Sequence, residues 1–270
     1  MKTKKIKDLE LKDKIKKIFE ENKGRYGYRR ITMELNKEVK DKVNHKKVKR
    51  LMKEMELFAF QGKNGKYHSY KGDNGLSKEN LLLDTVEDEK GEVIKKTRNF
   101  KTTGPNQKWT TDVSEFKTDE GKIYLSPILD MYDSSIISYD LSDRPDLNQV
   151  NRMLDEAFSK NSNFEGLIFH SDQGWQYQHK SYIDKLKAKG IKQSFSRKGN
   201  CMDNSLMENF FGILKNEMYY GHEKEFKTKE QLVTAIEEYI KWYNEKRINI
   251  KRKGMSPLEY RQQSYSCNYC

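Results

Sequence analysis

Cysteine is scarce in this sequence, and its scarcity excludes a class of protein. Only three cysteines, Cys201, Cys267 and Cys270, occur among 270 residues. They are too few and too unevenly spread for a disulfide framework, which indicates a reducing compartment. Cys267 and Cys270 form one C-x-x-C pair, but a structural zinc site needs two further ligands and no nearby pair supplies them. We therefore interpret this pair as an incidental part of a tail.

Long apolar runs are missing as well. No stretch approaches the roughly 18 apolar residues that a membrane-spanning helix needs. The basic N-terminus is not followed by the apolar segment of a signal peptide. These two observations predict a protein without membrane spans that is located in the cytoplasm.

Positive charge is abundant but confined to one part of the chain. The formal net charge is +12, and residues 1–80 alone carry 24 Lys or Arg against 12 Asp or Glu. Residues 101–270 carry 25 against 24, so they are close to neutral. A basic N-terminal third is typical of a protein that binds a polyanion such as DNA. A lysine-rich solvated surface without such a partner is the alternative.

Apolar residues at helical spacing predict three short helices in this basic region, over 8–22, 28–37 and 45–56. Asn44 precedes the third helix and can cap it. Three such helices within residues 1–60 fit a helix-turn-helix domain, whose last helix lies in a DNA groove. The predicted DNA contacts on that helix are Lys46, Lys47, Lys49 and Arg50. A basic three-helix bundle without groove contacts is the alternative.

The rest of the chain divides into a linker, an α/β domain and a tail. Residues 61–107 are rich in Gly, Lys, Asn and Asp and show little periodicity, so we interpret them as a linker. The predicted strands after it cover 109–116, 123–131, 134–141, 166–170 and 191–195. The predicted helices cover 147–159, 178–189 and 228–247. Their order predicts a mixed sheet with helices packed on it over 108–262, followed by a tail over 263–270.

Three acidic residues of this domain are candidate ligands for divalent metal. Asp112 lies in a predicted strand, Asp172 directly follows another, and Glu208 lies in the first turn of a helix, with 35 residues between Asp172 and Glu208. If the first and fourth strands pair, the two aspartates lie on neighbouring central strands, near the strand ends where such sheets usually bind ligands. Carboxylate oxygens suit Mg²⁺, and metal-assisted phosphoryl transfer needs such a site.

Each acidic residue also has a purely structural interpretation. Ser205 and Glu208 match a capping box, in which Glu208 would satisfy backbone N–H groups. Asp172 could form a turn, and Asp112 could pair with a nearby lysine. Two other acidic residues, Asp130 and Asp133, are alternatives to Asp112 as the first of the three candidate metal ligands.

Basic residues close to the predicted metal site are candidate DNA contacts. Glu208, Gly212 and Lys215 share one face of a helix, and Gly212 has no side chain there. A DNA backbone could therefore approach closely and place a phosphate beside Lys215. A solvated lysine is the alternative. Arg197 and Lys198, in the polar loop before this helix, are also predicted to contact DNA.

Four further residues near the acidic ones have two open interpretations each. Asp203 and Asn204, just before the Glu208 helix, could cap that helix or orient metal ligands. Trp175 and Tyr177, just past Asp172, could stack on an unpaired base or pack in the core.

Several motifs resemble those of one known family. The four in the core are Trp109-Thr-Thr-Asp112, His170-Ser-Asp-Gln-Gly-Trp-Gln-Tyr177, Gly199-Asn-Cys-Met-Asp-Asn204 and Glu208-Asn-Phe-Phe-Gly-Ile-Leu-Lys-Asn-Glu217. Outside them the similarity includes Gly27-Tyr-Arg-Arg-Ile31 and Tyr239-Ile-Lys-Trp-Tyr-Asn244. With these motifs the chain resembles the OrfB-type transposases of bacterial insertion sequences, within the retroviral-integrase superfamily. The resemblance covers nearly the whole chain apart from the linker.

The resemblance implies an RNase H-like catalytic core preceded by a small all-α helix-turn-helix domain. It assigns Asp112, Asp172 and Glu208 as a DDE triad that holds two Mg²⁺ or Mn²⁺ ions. The implied chemistry is cleavage of element ends and their strand transfer into target DNA. The implied partners are double-stranded DNA, further copies of the chain on that DNA, and an upstream OrfA product joined by frameshifting. The implied location is the nucleoid in a bacterial cytoplasm.

Two other functions stay open beside this one. The first is a non-catalytic helix-turn-helix DNA-binding protein with a decayed core, although the intact triad argues against it. The second is an RNase H-like nuclease that acts on RNA–DNA hybrids, although the basic N-terminal domain argues for duplex DNA.

Overall fold

The computed structural model describes residues 2–60, 79–88 and 93–267. The start of the predicted linker, and Cys270 of the C-x-x-C pair, lie outside these residues. Within the described ranges, no helix has the length and apolar character needed to cross a membrane.

Three helices form the N-terminal bundle: α1 (Lys2–Glu21), α2 (Tyr28–Glu38) and α3 (His45–Glu54). The three predicted helices are confirmed, although α1 begins earlier than predicted. The predicted cap is confirmed too, because the Asn44 side chain accepts a hydrogen bond from the Lys46 backbone N–H. Apolar side chains from all three helices, including Ile15, Ile31 and Leu51, are fully buried between them.

Part of the segment predicted as a linker is regular structure. Strands β1 (Leu83–Glu87) and β2 (Val93–Arg98) pair antiparallel as a two-stranded ribbon. The stretch that we interpreted as a linker therefore contains a regular ribbon. Most described side chains of the ribbon are exposed, so its strands lack the alternation of apolar and polar residues that reveals a half-buried strand.

A six-stranded mixed sheet forms the centre of the α/β domain. Its strands are β3 (Lys108–Thr111), β4 (Ser114–Thr118), β5 (Gly121–Asp130), β6 (Ile136–Ser142), β7 (Ile168–Ser171) and β8 (Lys192–Phe195). β5 pairs antiparallel with β3, β4 and β6, whereas β7 pairs parallel with both β3 and β8. The predicted mixed sheet is confirmed. Its first and fourth predicted strands pair, which is the condition under which Asp112 and Asp172 lie on neighbouring strands.

The predicted first strand, 109–116, is interrupted at Asp112, and Pro127 explains the interruption. One register runs through both halves, with Thr111 opposite Ile128 and Ser114 opposite Leu125, so Asp112 faces Pro127. On the side of β5 that faces β3 and β4, Met131 donates its N–H to the Lys108 carbonyl. Backbone alternation turns the nitrogen of Pro127 to the same side, where proline has no N–H to donate. The hydrogen bonds between β5 and the predicted first strand are therefore interrupted at Asp112.

Helices cover both faces of the sheet. They are α4 (Leu147–Lys160), α5 (Trp175–Gln178), α6 (Lys180–Ala188), α7 (Ser205–Leu214), α8 (Lys229–Glu245) and α9 (Pro257–Cys267). On one face, Trp109 and Ile128 pack against α4 and α6; on the other, Leu125 and Leu129 pack against α7 and α8. The predicted helix over 178–189 is divided at His179, which caps α6. The predicted tail is wrong for 263–267, which continue α9.

The N-terminal bundle packs directly against the C-terminal part of the α/β domain. Ile248 belongs to the same buried cluster as the bundle core. The Tyr26 hydroxyl donates to the Lys246 carbonyl at 2.8 Å and accepts from the Ile248 backbone N–H at 2.9 Å. The Arg25 guanidinium lies over the Trp242 ring, 4.6 Å from its centre. The two parts of the chain therefore share one interface and not only a connecting segment.

Candidate active site

Asp112 and Asp172 lie side by side at the ends of two parallel strands. β3 and β7 pair with Lys108 beside Ile168 and Thr110 beside His170. The same offset, continued for two residues, places Asp112 beside Asp172. Neighbouring strands are about 5 Å apart, so the sheet itself brings these two carboxylates together.

Helix α7 carries the third acidic residue, Glu208, in its first turn, and Asn204 ties the start of this helix to β3. The Asn204 amide nitrogen donates to the Thr111 carbonyl at 3.1 Å, and the Thr110 hydroxyl donates to the Asn204 amide oxygen. The strand that leads into Asp112 is thus joined to the helix that presents Glu208.

The charges of Asp172 and Glu208 act electrostatically on Asp112. Burial raises the pKa of Asp112 well above its usual range, and the negative charges of Asp172 and then Glu208 raise it further, whereas Lys215 opposes the shift. Burial also raises the pKa of Asp172 and of Glu208. Like charges that destabilise one another in a partly buried site are characteristic of functional sites.

The carboxylates are close but do not form a ready-made cage. In the parts of the chain that the structure describes, no three His, Cys, Asp or Glu side chains stand close enough to hold a metal ion. One oxygen of each aspartate is engaged by a nearby backbone N–H, that of Val113 for Asp112 and that of Gly174 for Asp172. Among the described hydrogen bonds and ion pairs, none engages the second oxygen of either aspartate.

The two competing aspartates belong to a different network. Asp130 and Asp133 are fully buried, and both accept hydrogen bonds from the Arg261 guanidinium, Asp133 at 2.6 Å from Nε. Asp130 also accepts the backbone N–H of Asn106 at 2.7 Å. Burial and then the charge of Asp133 raise the pKa of Asp130 to about 6, against the opposing charge of Arg261. These two aspartates therefore join α9 to the sheet.

Two neighbours support the position of Asp172. Its carboxylate lies so close to Gly174 that a Cβ on that residue would approach the oxygen to 3.0 Å. His170 is fully buried and bridges two serines, with Nδ1 2.8 Å from Ser194 Oγ and Nε2 3.0 Å from Ser196 Oγ. This bridge joins β7 to the loop that leads towards Glu208.

Lys215 lies near the aspartates and is half-buried, so it is not a freely solvated lysine. Its Nζ is 4.9 Å from the centre of the Phe116 ring. Burial lowers the pKa of Lys215, and the charges of Glu115 and Asp112 oppose that change. A side chain added at Gly212 would meet nothing within 4 Å. The open face next to Glu208 that the sequence predicted is therefore present, with a lysine at its end.

The other predicted DNA contacts differ in whether they are already paired with a carboxylate of the protein. Arg197 donates from Nε and Nη2 to the buried carboxylate of Asp203, both at 2.9 Å, and Lys198 is exposed in the same loop. On α3, Lys47 and Arg50 turn towards α1 and pair with Asp8 at 2.7 and 2.8 Å.

The remaining two basic residues of α3, Lys46 and Lys49, are exposed on the bundle surface. Hydrogen bonds from Lys47 and Arg50 lower the pKa of Asp8 to about 2. The structure therefore separates the four predicted contacts of α3 into two that are paired within the bundle and two that face outwards.

The structure bears on the open interpretations of four residues near the site. Asp203 does not cap α7, because its carboxylate holds two arginines, Arg98 and Arg197. Asn204 links α7 to β3. Tyr177 is fully buried, whereas 55% of Trp175 is exposed beside the Asp172 turn. Only Trp175 is therefore open to stacking on a base.

Three residues that support the site, Thr110, His170 and Arg98, are not among those predicted from the sequence. Thr110 and His170 are polar residues inside short buried strands, and a buried polar residue needs a partner. The need for a hydrogen-bond partner therefore marks Thr110 and His170 in the sequence as candidate supporting residues. Arg98 lies in the segment interpreted as a linker, where no pattern pointed to the site.

Family models match both the α/β domain and the N-terminal bundle. Two models described as integrase core domains match residues 102–201 and 208–265, and a model described as an HTH-like domain matches residues 5–64. InsK of Escherichia coli (strain K12), named as a transposase for insertion sequence element IS150, is 47% identical over 256 residues, which are 95% of this chain and 84% of that protein. A transposase-like protein of Haemophilus influenzae is 49% identical over 225 residues, which are 83% of this chain and 95% of that protein.

Among solved structures, the catalytic core domain of HTLV-2 integrase aligns with a TM-score of 0.48 at 18% identity, over 60% of this chain and 99% of that one. The identities of 47% and 49% to the two relatives are sufficient to show the family. The chain belongs to the insertion-sequence transposases of the retroviral-integrase superfamily, which are polynucleotidyl transferases.

Proposed function

We propose that Asp112, Asp172 and Glu208 form the DDE triad of this transposase. The adjacent aspartates at the ends of β3 and β7 carry the proposal. No described ion pair neutralises them. Burial raises the pKa of both, and the charge of Asp172 raises that of Asp112 further. A divalent cation would relieve this repulsion.

The donor set fits Mg²⁺ or Mn²⁺, because it consists of carboxylate oxygens of which several are uncommitted. Two such ions, when bound, would activate a water or a DNA 3′-hydroxyl and stabilise the leaving oxygen. The chain itself supplies the rest. β3 and β7 hold the aspartates in fixed register, Asn204 anchors the helix of Glu208, and Gly212 leaves room for the DNA backbone.

Cleavage of matched substrates tests this function. We expect the protein to cut a duplex that carries the terminal repeat of its element in the presence of Mg²⁺ or Mn²⁺, and to leave it intact in EDTA. An RNA–DNA hybrid of the same sequence should be cut at least tenfold more slowly. Preference for the hybrid would support a nuclease instead, and metal-independent binding without any cutting would support the non-catalytic alternative.

Lys215 is proposed to bind a phosphate next to the triad. Its charge acts on Asp112 and lowers the pKa of that carboxyl group, and the open face at Gly212 leads to it. Replacing Lys215 with Ala should weaken binding of end DNA and reduce the slope of log Kd against log salt by about one unit. The exposed Lys241→Ala on α8 is the control. An unchanged salt slope in Lys215→Ala would contradict the contact.

We propose a division of the other DNA contacts between two surfaces. Lys46 and Lys49 face outwards and are available to a DNA groove, whereas Lys47 and Arg50 would first have to leave Asp8. Arg197 would reach DNA only with the part of its guanidinium not engaged by Asp203, and Lys198 lies exposed next to it.

The division of the chain into a DNA-recognition domain at 1–60 and a catalytic core at 108–262 belongs to the same proposal. We also propose that several copies assemble on double-stranded DNA, that an OrfA product is joined upstream, and that the protein acts at the bacterial nucleoid. Assembly on DNA would bring element ends and target DNA into one complex, and the family resemblance implies the others.

A further inference from the structure

The segment before the sheet is attached to the active-site side of the domain. We call residues 79–82 together with the ribbon β1–β2 the strap. The Phe195 backbone N–H donates to the Glu79 carbonyl at 2.9 Å, and the Leu81 N–H donates to Ser194 Oγ at 2.9 Å. Leu82 is buried. The strap therefore continues along the end of β8, where the loop towards Glu208 begins.

Asp203 connects the strap to that loop. Its side chain has no solvent exposure, and it accepts a hydrogen bond from Arg98 Nε at 2.6 Å and one from Asn80 Nδ2 at 2.9 Å. Arg197 of the loop binds the same carboxylate through its side chain and through its backbone N–H at 3.0 Å. These bonds outweigh burial and lower the pKa of Asp203, so the carboxylate stays charged and paired.

The next residue anchors the other side of the loop. Asn204 is bonded to Thr110 and Thr111 of β3, and α7 begins at Ser205. Two consecutive side chains thus fasten the start of α7 to the strap in one direction and to the Asp112 strand in the other. Glu208 follows one turn later on the same helix.

We infer that Arg98 is a positioning residue for Glu208, acting through Asp203 from outside the matched integrase core. The inference rests on the proposed function of the triad. The geometry separates positioning from folding, because Arg197 continues to neutralise Asp203 when Arg98 is removed. The buried charge is then not left alone, but the loop loses its bond to the strap.

Metal binding in the absence of DNA tests the inference. In Arg98→Ala we expect Mn²⁺, measured by electron paramagnetic resonance, to bind about tenfold more weakly than in wild type, since partners outside the ligand shell typically change metal affinity by 10- to 100-fold. The Mn²⁺ concentration for half-maximal cleavage should rise by the same factor. The thermal midpoint and the affinity for end DNA should stay at wild-type values.

Three further variants make the result specific. Lys96→Ala removes an exposed side chain from the same strand and should bind Mn²⁺ like wild type. Arg98→Lys keeps the charge next to Asp203 and should recover to within about threefold. Asn80→Ala removes the other bond from the strap and should weaken Mn²⁺ binding in the same direction.

Equal Mn²⁺ binding in Arg98→Ala and Lys96→Ala would overturn the inference while leaving the triad intact. A wild-type protein that neither binds Mn²⁺ nor cuts end DNA would instead overturn the proposed function. The two failures are therefore distinguishable.

Discussion

Replacing Asp172 with Asn should abolish metal-dependent DNA cleavage, by at least roughly a thousandfold, which corresponds to about 4 kcal/mol of activation free energy. The amide keeps the size of the carboxylate, and its oxygen can still accept the Gly174 N–H that forms the local turn. What it loses is the negative charge that a divalent cation requires. Asp112→Asn should behave in the same way, because its amide oxygen can keep the Val113 bond.

The same substitutions should not lower the thermal stability of the protein. Because burial and Asp172 raise the pKa of Asp112, the two charges repel each other in the cation-free protein. Removing one of them should leave the thermal midpoint unchanged or raise it, as is common where function is bought with stability. Affinity for end DNA in EDTA should stay within about twofold of wild type.

Asp119→Asn is the matched control, since it makes the same change at an exposed turn of the domain. It should cleave DNA at the wild-type rate. Cleavage by Asp172→Asn at a tenth of the wild-type rate or more would contradict the assignment of this residue.

Replacing Glu217 with Ala should destabilise the protein by about 3 to 5 kcal/mol, the range found when one partner of a buried ion pair is removed. Glu217 accepts hydrogen bonds from Arg247 at 2.6 and 2.8 Å, from Tyr239 at 2.9 Å and from Arg30 at 3.1 Å. Arg247 has only 2% of its side chain exposed. Without Glu217 it would carry an unpaired charge in the interior.

The same substitution should loosen the interface between the N-terminal bundle and the core. Arg30 lies on α2, Glu217 lies in the π-helical turn Lys215–Tyr219 that follows α7, and Arg247 follows α8. Burial alone would raise the pKa of Glu217, but the hydrogen bond and charge of Arg247 outweigh it and lower the pKa. Hydrogen exchange should therefore show faster opening of α2 and α3 in the variant.

Chemical denaturation of Glu217→Ala and Glu156→Ala makes the comparison quantitative. Glu156 forms an exposed pair with Lys160, and loss of such a pair changes stability by at most about 1 kcal/mol. A loss of less than 1 kcal/mol in both variants would show that the network at Glu217 does not hold the interface together.

Local sequence patterns predicted the strands that carry the two aspartates, but not which strands pair. The aspartates were expected on neighbouring strands only if the first and fourth strands paired. The register of β3 and β7 confirms this placement. The N-terminal helices followed in the same way from apolar spacing and from the Asn44 cap.

Long-range polar contacts account for what could not be predicted. Arg98 and Asp203 are 105 residues apart, and Arg30 and Glu217 are 187 apart. Neither pair leaves a periodic trace in the sequence, since a single charged residue looks the same whether it is solvated or paired with a distant residue. Pro127 did carry a signal, because a proline inside a central strand marks a gap in the ladder. Its effect on Asp112 required the register of the partner strand.

The position of bound metal tests the central claim most directly. Crystals of the protein with Mn²⁺ should show anomalous difference peaks within about 2.5 Å of carboxylate oxygens from Asp112 and Asp172, with Glu208 completing the site on the opposite side. Mn²⁺ bound elsewhere on the chain, with no peak beside the two aspartates in protein that cleaves element-end DNA, would contradict the account.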